Sequence, residues 1–365
     1  MKKISKIILI IGVVAIIGTL GYLGWRYFFG KTINQKTAIN QSATAIFPVP
    51  KKLSEDQIFD YWVNKNTGDI YYLAHDGQIS KIDSSGQVQH LESKAMGLIS
   101  SVKASNDGSS ILVEFGYPQA PTFALHNLVN KTWQSLPQGT VAAAWDPKSS
   151  NRLIYLKDSG PTSRIYFYTP ANQKSAEILR LAQKDLDLDW ALPELIYFKE
   201  RPSSEYASSL WSYNLKTKLF KIVARDENNL SIKWGTAGLN GIKLSGGQLS
   251  VIDNNNSYLA KIDLKTLPAK CTFAELYVYC AAPSDPTAIS QTTFPDDYLK
   301  KSFNAPDDIY QIYILGVTSQ GSLLSVRYFD SLLTGSTISA DHLEIQKNRL
   351  IFINRLDSKL YSLTL

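Results

Sequence analysis

Short apolar and aromatic runs broken by polar turns fill most of this chain, and one run recurs. It reads Asp69-Ile70-Tyr71-Tyr72-Leu73, Ser110-Ile111-Leu112-Val113, Arg152-Leu153-Ile154-Tyr155 and Glu194-Leu195-Ile196-Tyr197. Ile70, Ile111, Ile154 and Ile196 follow one another at intervals of 41, 43 and 42 residues. The runs are rich in β-branched and aromatic residues and end at Asp-Gly, Ser-Gly or Asn-Asn turns, the pattern of strands in hairpins. A β-rich period of about 40 residues is that of a propeller blade. The chain is therefore expected to be all-β, a seven-bladed β-propeller over residues 46–365.

Each repeat divides into an inner strand, the recurring phrase and two further strands. Inner strands are expected at 59–63, 101–104, 141–145 and 186–190. The fifth blade, at 229–265, has the weakest pattern and rests on 231–234 and 249–253. The sixth holds a cysteine hairpin and 309–313, and the seventh shows only three strands, at 343–345, 350–353 and 360–363. Residues 43–49 belong to no repeat. They are expected to supply the missing outer strand, over 46–51, and so protect the open edge of the ring. Pro48 and Pro50 are tolerable on an outermost strand.

Residues 1–31 are different in kind. Ile7 to Trp25 is a run of 19 residues without a charge, long enough to cross a hydrocarbon core of about 30 Å. Lys2, Lys3 and Lys6 precede it, which keeps the N-terminus in the cytoplasm, and Trp25, Tyr27, Phe28 and Phe29 suit the far interface. A transmembrane anchor is expected over 7–29, followed by a flexible polar tether at 32–45. A cleaved signal peptide is the alternative, although its apolar stretch is normally shorter and ends in a small-x-small site. Either reading exports residues 32–365. The expected location is the cytoplasmic membrane, single-pass, with the propeller on the extracytoplasmic side.

The formal net charge of +6 belongs mostly to the anchor, because residues 1–31 hold five basic residues and no acid. The other 33 basic and 32 acidic residues nearly cancel, so no electrostatic footprint for nucleic acid is present. Cys271 and Cys280 are the only cysteines. A turn near 274–276 would set them opposite one another, within disulfide reach, in an oxidising compartment. Two buried free thiols are the alternative. No His or further Cys lies near them, which argues against metal.

Candidate chemistry is sparse. Gly-x-Ser-x-Gly, a phosphate loop, His-Glu-x-x-His and Cys-x-x-Cys are all missing. His75, His90, His126 and His342 read as turn or surface histidines. Asp185-Leu186-Asp187-Leu188-Asp189 on a strand would put three carboxylates on one face. They are the metal candidates, for calcium, or else line a water-filled channel. Trp145, Trp190 and Trp234 fall in inner strands, where they pack between blades or form a sugar platform. Residues 281–306 are an insertion in blade six holding four prolines. Long ordered connections on rigid scaffolds often carry function, so Phe294, Asp296, Asp297 and Tyr298 are binding candidates; a plain surface loop is the alternative. Asp307-Asp308 reads as strand-entry chemistry.

Trp145-Asp146-Pro147, in an inner strand followed by an Ile-Tyr strand, resembles the WD40-like PD40 repeat of TolB-type periplasmic propellers. The stretch from Leu267-Pro268-Ala269-Lys270-Cys271 to Cys280-Ala281-Ala282-Pro283, and the tail 350–361, look like blades of single-pass membrane-anchored bacterial propellers. The Asp-Pro-Asp-Gly turn of the repeat is missing from most blades. The resemblance implies a binding or scaffolding propeller at the cell envelope. The expected function is a membrane-tethered module for a protein or glycan partner, with no catalytic activity and no cofactor. The alternative is a propeller enzyme of lactonase, cyclotransferase or quinoprotein type, with Asp185, Asp187 and Asp189 as its metal or acid site.

Overall fold

A computed structural model describes residues 47–93, 97–235, 240–317 and 321–365. The expected anchor and tether, at 7–29 and 32–45, lie outside the described residues. Among these residues no helix is long and apolar enough to cross a membrane.

Seven four-stranded antiparallel sheets make a seven-bladed β-propeller. The inner strands, from blade 1 to blade 7, are Ile58–Val63, Ile99–Ala104, Thr140–Asp146, Leu186–Leu192, Ser231–Trp234, Cys271–Ala274 and Ala340–Gln346. The recurring phrase forms the second strand of each of the first four blades. Its residues Ile70, Ile111, Ile154 and Ile196 are almost fully buried. A second strand is covered on both faces by neighbouring blades, so it reads as a continuous apolar run rather than an alternation. The core is accordingly a series of clusters between blades. One joins Ile154 and Leu156 of blade 3 to Leu188, Trp190, Ile196 and Phe198 of blade 4. Each such side chain contributes about 1.5–3 kcal/mol by burial.

Blade 5 contains a strand the pattern hides, Asn240–Ser245. It pairs with Ser231–Trp234, setting Gly241 opposite Trp234. A Cβ on Gly241 would sit 2.8 Å from the Trp234 ring, so glycine stands where the other blades carry an apolar residue. The ring is closed by Lys51–Lys52, antiparallel to Lys359–Thr364 with Lys51 opposite Ser362. Of the expected closing strand over 46–51, residue 46 lies outside the described residues, and of 47–51 only Lys51 is in the ladder. Pro48 and Pro50 have no N–H to give to a ladder, so pairing begins past the second proline.

Cys271 and Cys280 are directly opposed. They form a disulfide with Cα atoms 4.1 Å apart, buried under Leu267 and Tyr298.

Candidate functional site

In blades 1 to 6 the first-to-second and third-to-fourth connections lie at one end of the strands, and in blade 7 the first-to-second connection does. The second-to-third connection lies at the other, where the inner strands begin. The long segment between Tyr277–Pro283 and Asp307–Val317 is a second-to-third connection, so it belongs to the face at which the chain enters the channel. It carries a 3-10 turn, Pro286–Gln291, and a short helix, Asp296–Leu299.

The side chains of this segment hold it across the channel mouth. The buried Tyr298 hydroxyl donates to Asp341 Oδ1 of blade 7 at 2.9 Å. The Arg355 guanidinium, also from blade 7, stacks 4.2 Å above the Tyr298 ring centroid. Asp296 Oδ1 accepts the Ser204 backbone N–H of blade 4 at 3.0 Å. Lys301 Nζ lies 4.9 Å from the Phe59 ring centroid of blade 1. From its root in blade 6 the segment thus touches blades 7, 1 and 4, which makes it a roof. Phe294 packs on the core of blades 5 and 6. Asp297 accepts the Thr293 N–H at 2.9 Å, closing the turn before the helix. Of the four sequence candidates, Phe294, Asp296 and Tyr298 pin the roof down and Asp297 shapes it. The side chains left at the rim are Leu299, Lys300 and, from blade 4, Tyr206, all exposed.

Below the roof lies a cavity of about 1360 Å³. On one wall, Asp187 of blade 4 meets Lys103 Nζ of blade 2 at 3.2 Å and Lys199 Nζ at 3.6 Å. Burial acts to raise the Asp187 pKa, but Lys103, Lys199 and Arg201 outweigh it and hold the carboxyl well below the usual range. Arg201 itself stacks 3.8 Å from the Tyr117 ring centroid. On the opposite wall, His342 of blade 7 pairs with Asp60 of blade 1. Burial lowers the His342 pKa, while the charge and hydrogen bond of Asp60 raise it by more. Beside this pair, burial pushes Glu344 up, partly offset by His342 and Lys233. Burial pulls Lys233 down to about 8 against Glu344, Asp341 and Asp60. Its Nζ donates to the Cys271 carbonyl at 2.7 Å.

The carboxylate trio does not assemble. Leu186 and Leu188 are buried, as the alternation predicts. Asp185, however, lies before the strand, exposed and with φ 54°, so it leaves the face shared by Asp187 and Asp189. Asp187 is neutralised by its lysines. Among the described residues no group of three or more His, Cys, Asp or Glu side chains is placed to hold a metal ion. Two histidines also depart from the surface reading. His126 is buried and stacked on Trp133 with centroids 4.5 Å apart, and His342 lines the channel.

Sequence reasoning missed Lys103, Lys199, Arg201, Lys233 and Glu344. The available signal was charge inside inner strands, as at Lys103 and Lys233. It also missed Lys270 and read Asp307 only as strand-entry chemistry; the two are buried and joined at 2.6 Å. Asp307 further accepts the Ala340 N–H at 2.7 Å.

No protein-family model matches this chain, and no curated protein does. Several solved structures share its fold. Oligogalacturonate lyase in complex with manganese is similar at TM-score 0.58 and 13% identity, over 88% of this chain and 94% of that one. The Myceliophteria thermophila Cps50 (Swd1) β-propeller domain is similar at 0.53 and 10% identity, over 87% and 100%. TolB from Acinetobacter baumannii aligns at 0.41 and 18% identity, and the alignment spans 56% of this chain and 54% of that one. At identities this low the lyase and the Cps50 domain speak for the fold alone.

Proposed function

We propose that this chain is a membrane-tethered extracytoplasmic propeller that binds a protein or glycan partner at its roofed channel mouth and leaves it chemically unchanged. The carrying observation is the roof itself, a single connection fixed to blades 1, 4 and 7 over a large cavity. A rigid disc presenting one immobilised connection is a recognition surface. Beneath it, Asp187 pairs with Lys103 of blade 2 and Asp60 with His342 of blade 7. A general base must be free to take a proton near the operating pH, and Asp187 is held far from that condition. The uncharged run from Ile7 to Trp25 supports the tether, and the disulfide suits an oxidising compartment.

Crosslinking the full chain in native membranes tests the reading. The double variant Leu299→Asp/Lys300→Glu reverses the rim while leaving Tyr298 in place. It is expected to lose the captured partner. Retention of every partner would overturn the mouth as the binding surface.

A second reading, a propeller enzyme, is favoured by one observation. The buried Glu344 interacts with the cavity-lining Lys233, and burial shifts the two pKa values in opposite directions, the pattern of an acid and a base made by environment. A mass change in the recovered partner that disappears in Glu344→Gln would support the enzyme. An unchanged mass supports binding.

A further inference from the structure

The opposite face of the disc holds a second cavity, of about 510 Å³, between blades 2 and 3. Two turns of each blade shape it. Blade 2 supplies Ser109, at the end of its first turn, and Asn127, Asn130 and Thr132 of its third. Blade 3 supplies Ser150 and Asn151, and the 3-10 turn that ends at Gln173. These are first-to-second and third-to-fourth connections, so the cavity faces away from the roof.

Its chemistry differs from that of the mouth. No Lys, Arg, Asp or Glu lines it, although charged residues make up 19% of the chain. The walls are mostly side-chain amides and hydroxyls, with apolar patches at Leu125, Pro170 and Ala171; the largely buried Trp145 and His126 lie beneath, His126 paired with Glu92 at 3.5 Å. Trp145 is fixed by its Nε1 donating to the Lys103 carbonyl at 2.9 Å. Asn127 is fixed too, its Oδ1 accepting the N–H groups of Val129 and Asn130 at 3.0 and 2.9 Å. Asn130, Asn151 and Gln173 are exposed at the edge.

The lining selects its ligand by exclusion. A charged ligand would lose hydration without meeting a counter-charge. An apolar ligand would cover amides and hydroxyls that then lack partners. Each amide offers donors and an acceptor together, and each hydroxyl both roles, which matches a molecule carrying many neutral hydroxyls. The volume falls within the usual range of about 300–1,000 Å³ for small-molecule sites. We infer that the cleft between blades 2 and 3 binds one or two units of a neutral sugar, using Asn130, Asn151 and Gln173 for the hydroxyls and the apolar lining at Pro170 and Ala171 for the ring face. This site is independent of the channel mouth and stands whether or not the mouth binds a partner.

The test is a titration of the purified full chain in detergent with cellobiose, maltose and chitobiose, followed by saturation-transfer NMR. Digalacturonate serves as the charged control. Millimolar saturable binding of at least one neutral disaccharide is expected. Asn130→Ala/Asn151→Ala should weaken it about tenfold or more, by loss of two hydrogen bonds, with the melting temperature unchanged. The mouth variant Leu299→Asp/Lys300→Glu should bind as well as the parent, which separates this site from the proposed partner surface. No neutral binding below about 20 mM, which is weaker than about −2.3 kcal/mol, would overturn the inference. So would tighter binding of digalacturonate, or an unchanged affinity in the cleft variant.

Discussion

The roofed mouth and the blade 2–3 cleft sit on opposite faces of one disc and satisfy their polar groups in different ways. At the mouth, polar groups from different blades pair with one another, as Lys103 does with Asp187 and His342 with Asp60. Under the roof, Lys270 and Asp307 carry this to full burial. At the cleft, uncharged amides such as Asn130 and Asn151 face solvent. Charges used internally make the structure sensitive to substitution there. Amides left to water make the cleft sensitive in binding and insensitive in stability.

The sharpest contrast should come from Lys270→Met. It strands a buried carboxylate, and an unpaired buried charge costs about 3–5 kcal/mol. Denaturant unfolding should show that loss, with much of it recovered in Lys270→Met/Asp307→Leu. A loss below about 1 kcal/mol would mean that the pair behaves like a surface ion pair and that the roof has no buried foundation. Cys271→Ser/Cys280→Ser comes next. The cross-link closes a loop of about ten residues, for which chain entropy gives about 2–3 kcal/mol. Reductant should lower the melting temperature of the parent and leave the double variant unmoved.

The pH response is smaller and has a defined sign. The His342 pKa is raised in the fold, so its contribution is complete below the ordinary histidine value of about 6.5 and is lost as pH rises through the folded value. Lys233 is lowered to about 8, so it restores stability as pH climbs beyond that point. Melting temperature should therefore fall above pH ~6.5 and turn upward above about 8. Asp60→Asn should flatten the first limb, and a parent profile without any decline would remove the His342–Asp60 pair from the stability of the ring. The smallest effect belongs to Asn130→Ala, expected to change stability by no more than about 0.5 kcal/mol. A larger change would show that the cleft amides are structural.

What was legible in the sequence follows the same division. The blade count was readable because a doubly covered strand needs an unbroken apolar phrase, and Ile70, Ile111, Ile154 and Ile196 mark it. The cysteine pairing was readable because a short hairpin sets its two ends opposite. Blade 5 was faint because Gly241 yields its place to the Trp234 ring. The closing strand moved because two prolines withhold N–H groups from the ladder. The mouth was the least readable part. Lys103 and Asp187 are 84 residues apart, and His342 and Asp60 are 282 apart. Alternation reports the face a residue takes but not which blade answers it. The aspartate trio failed for a local reason, a left-handed φ at Asp185 that no period-2 pattern records.

Site-specific photocrosslinking of the full chain in native membranes tests the central claim most directly. One crosslinker replaces Leu299 at the roofed rim, and a second replaces Leu219, which is 61% exposed in the turn leading to the outer strand of blade 4. A discrete adduct from position 299, absent from position 219, is the predicted result. No adduct at 299, or the same adducts from both positions, would contradict a partner surface at the channel mouth.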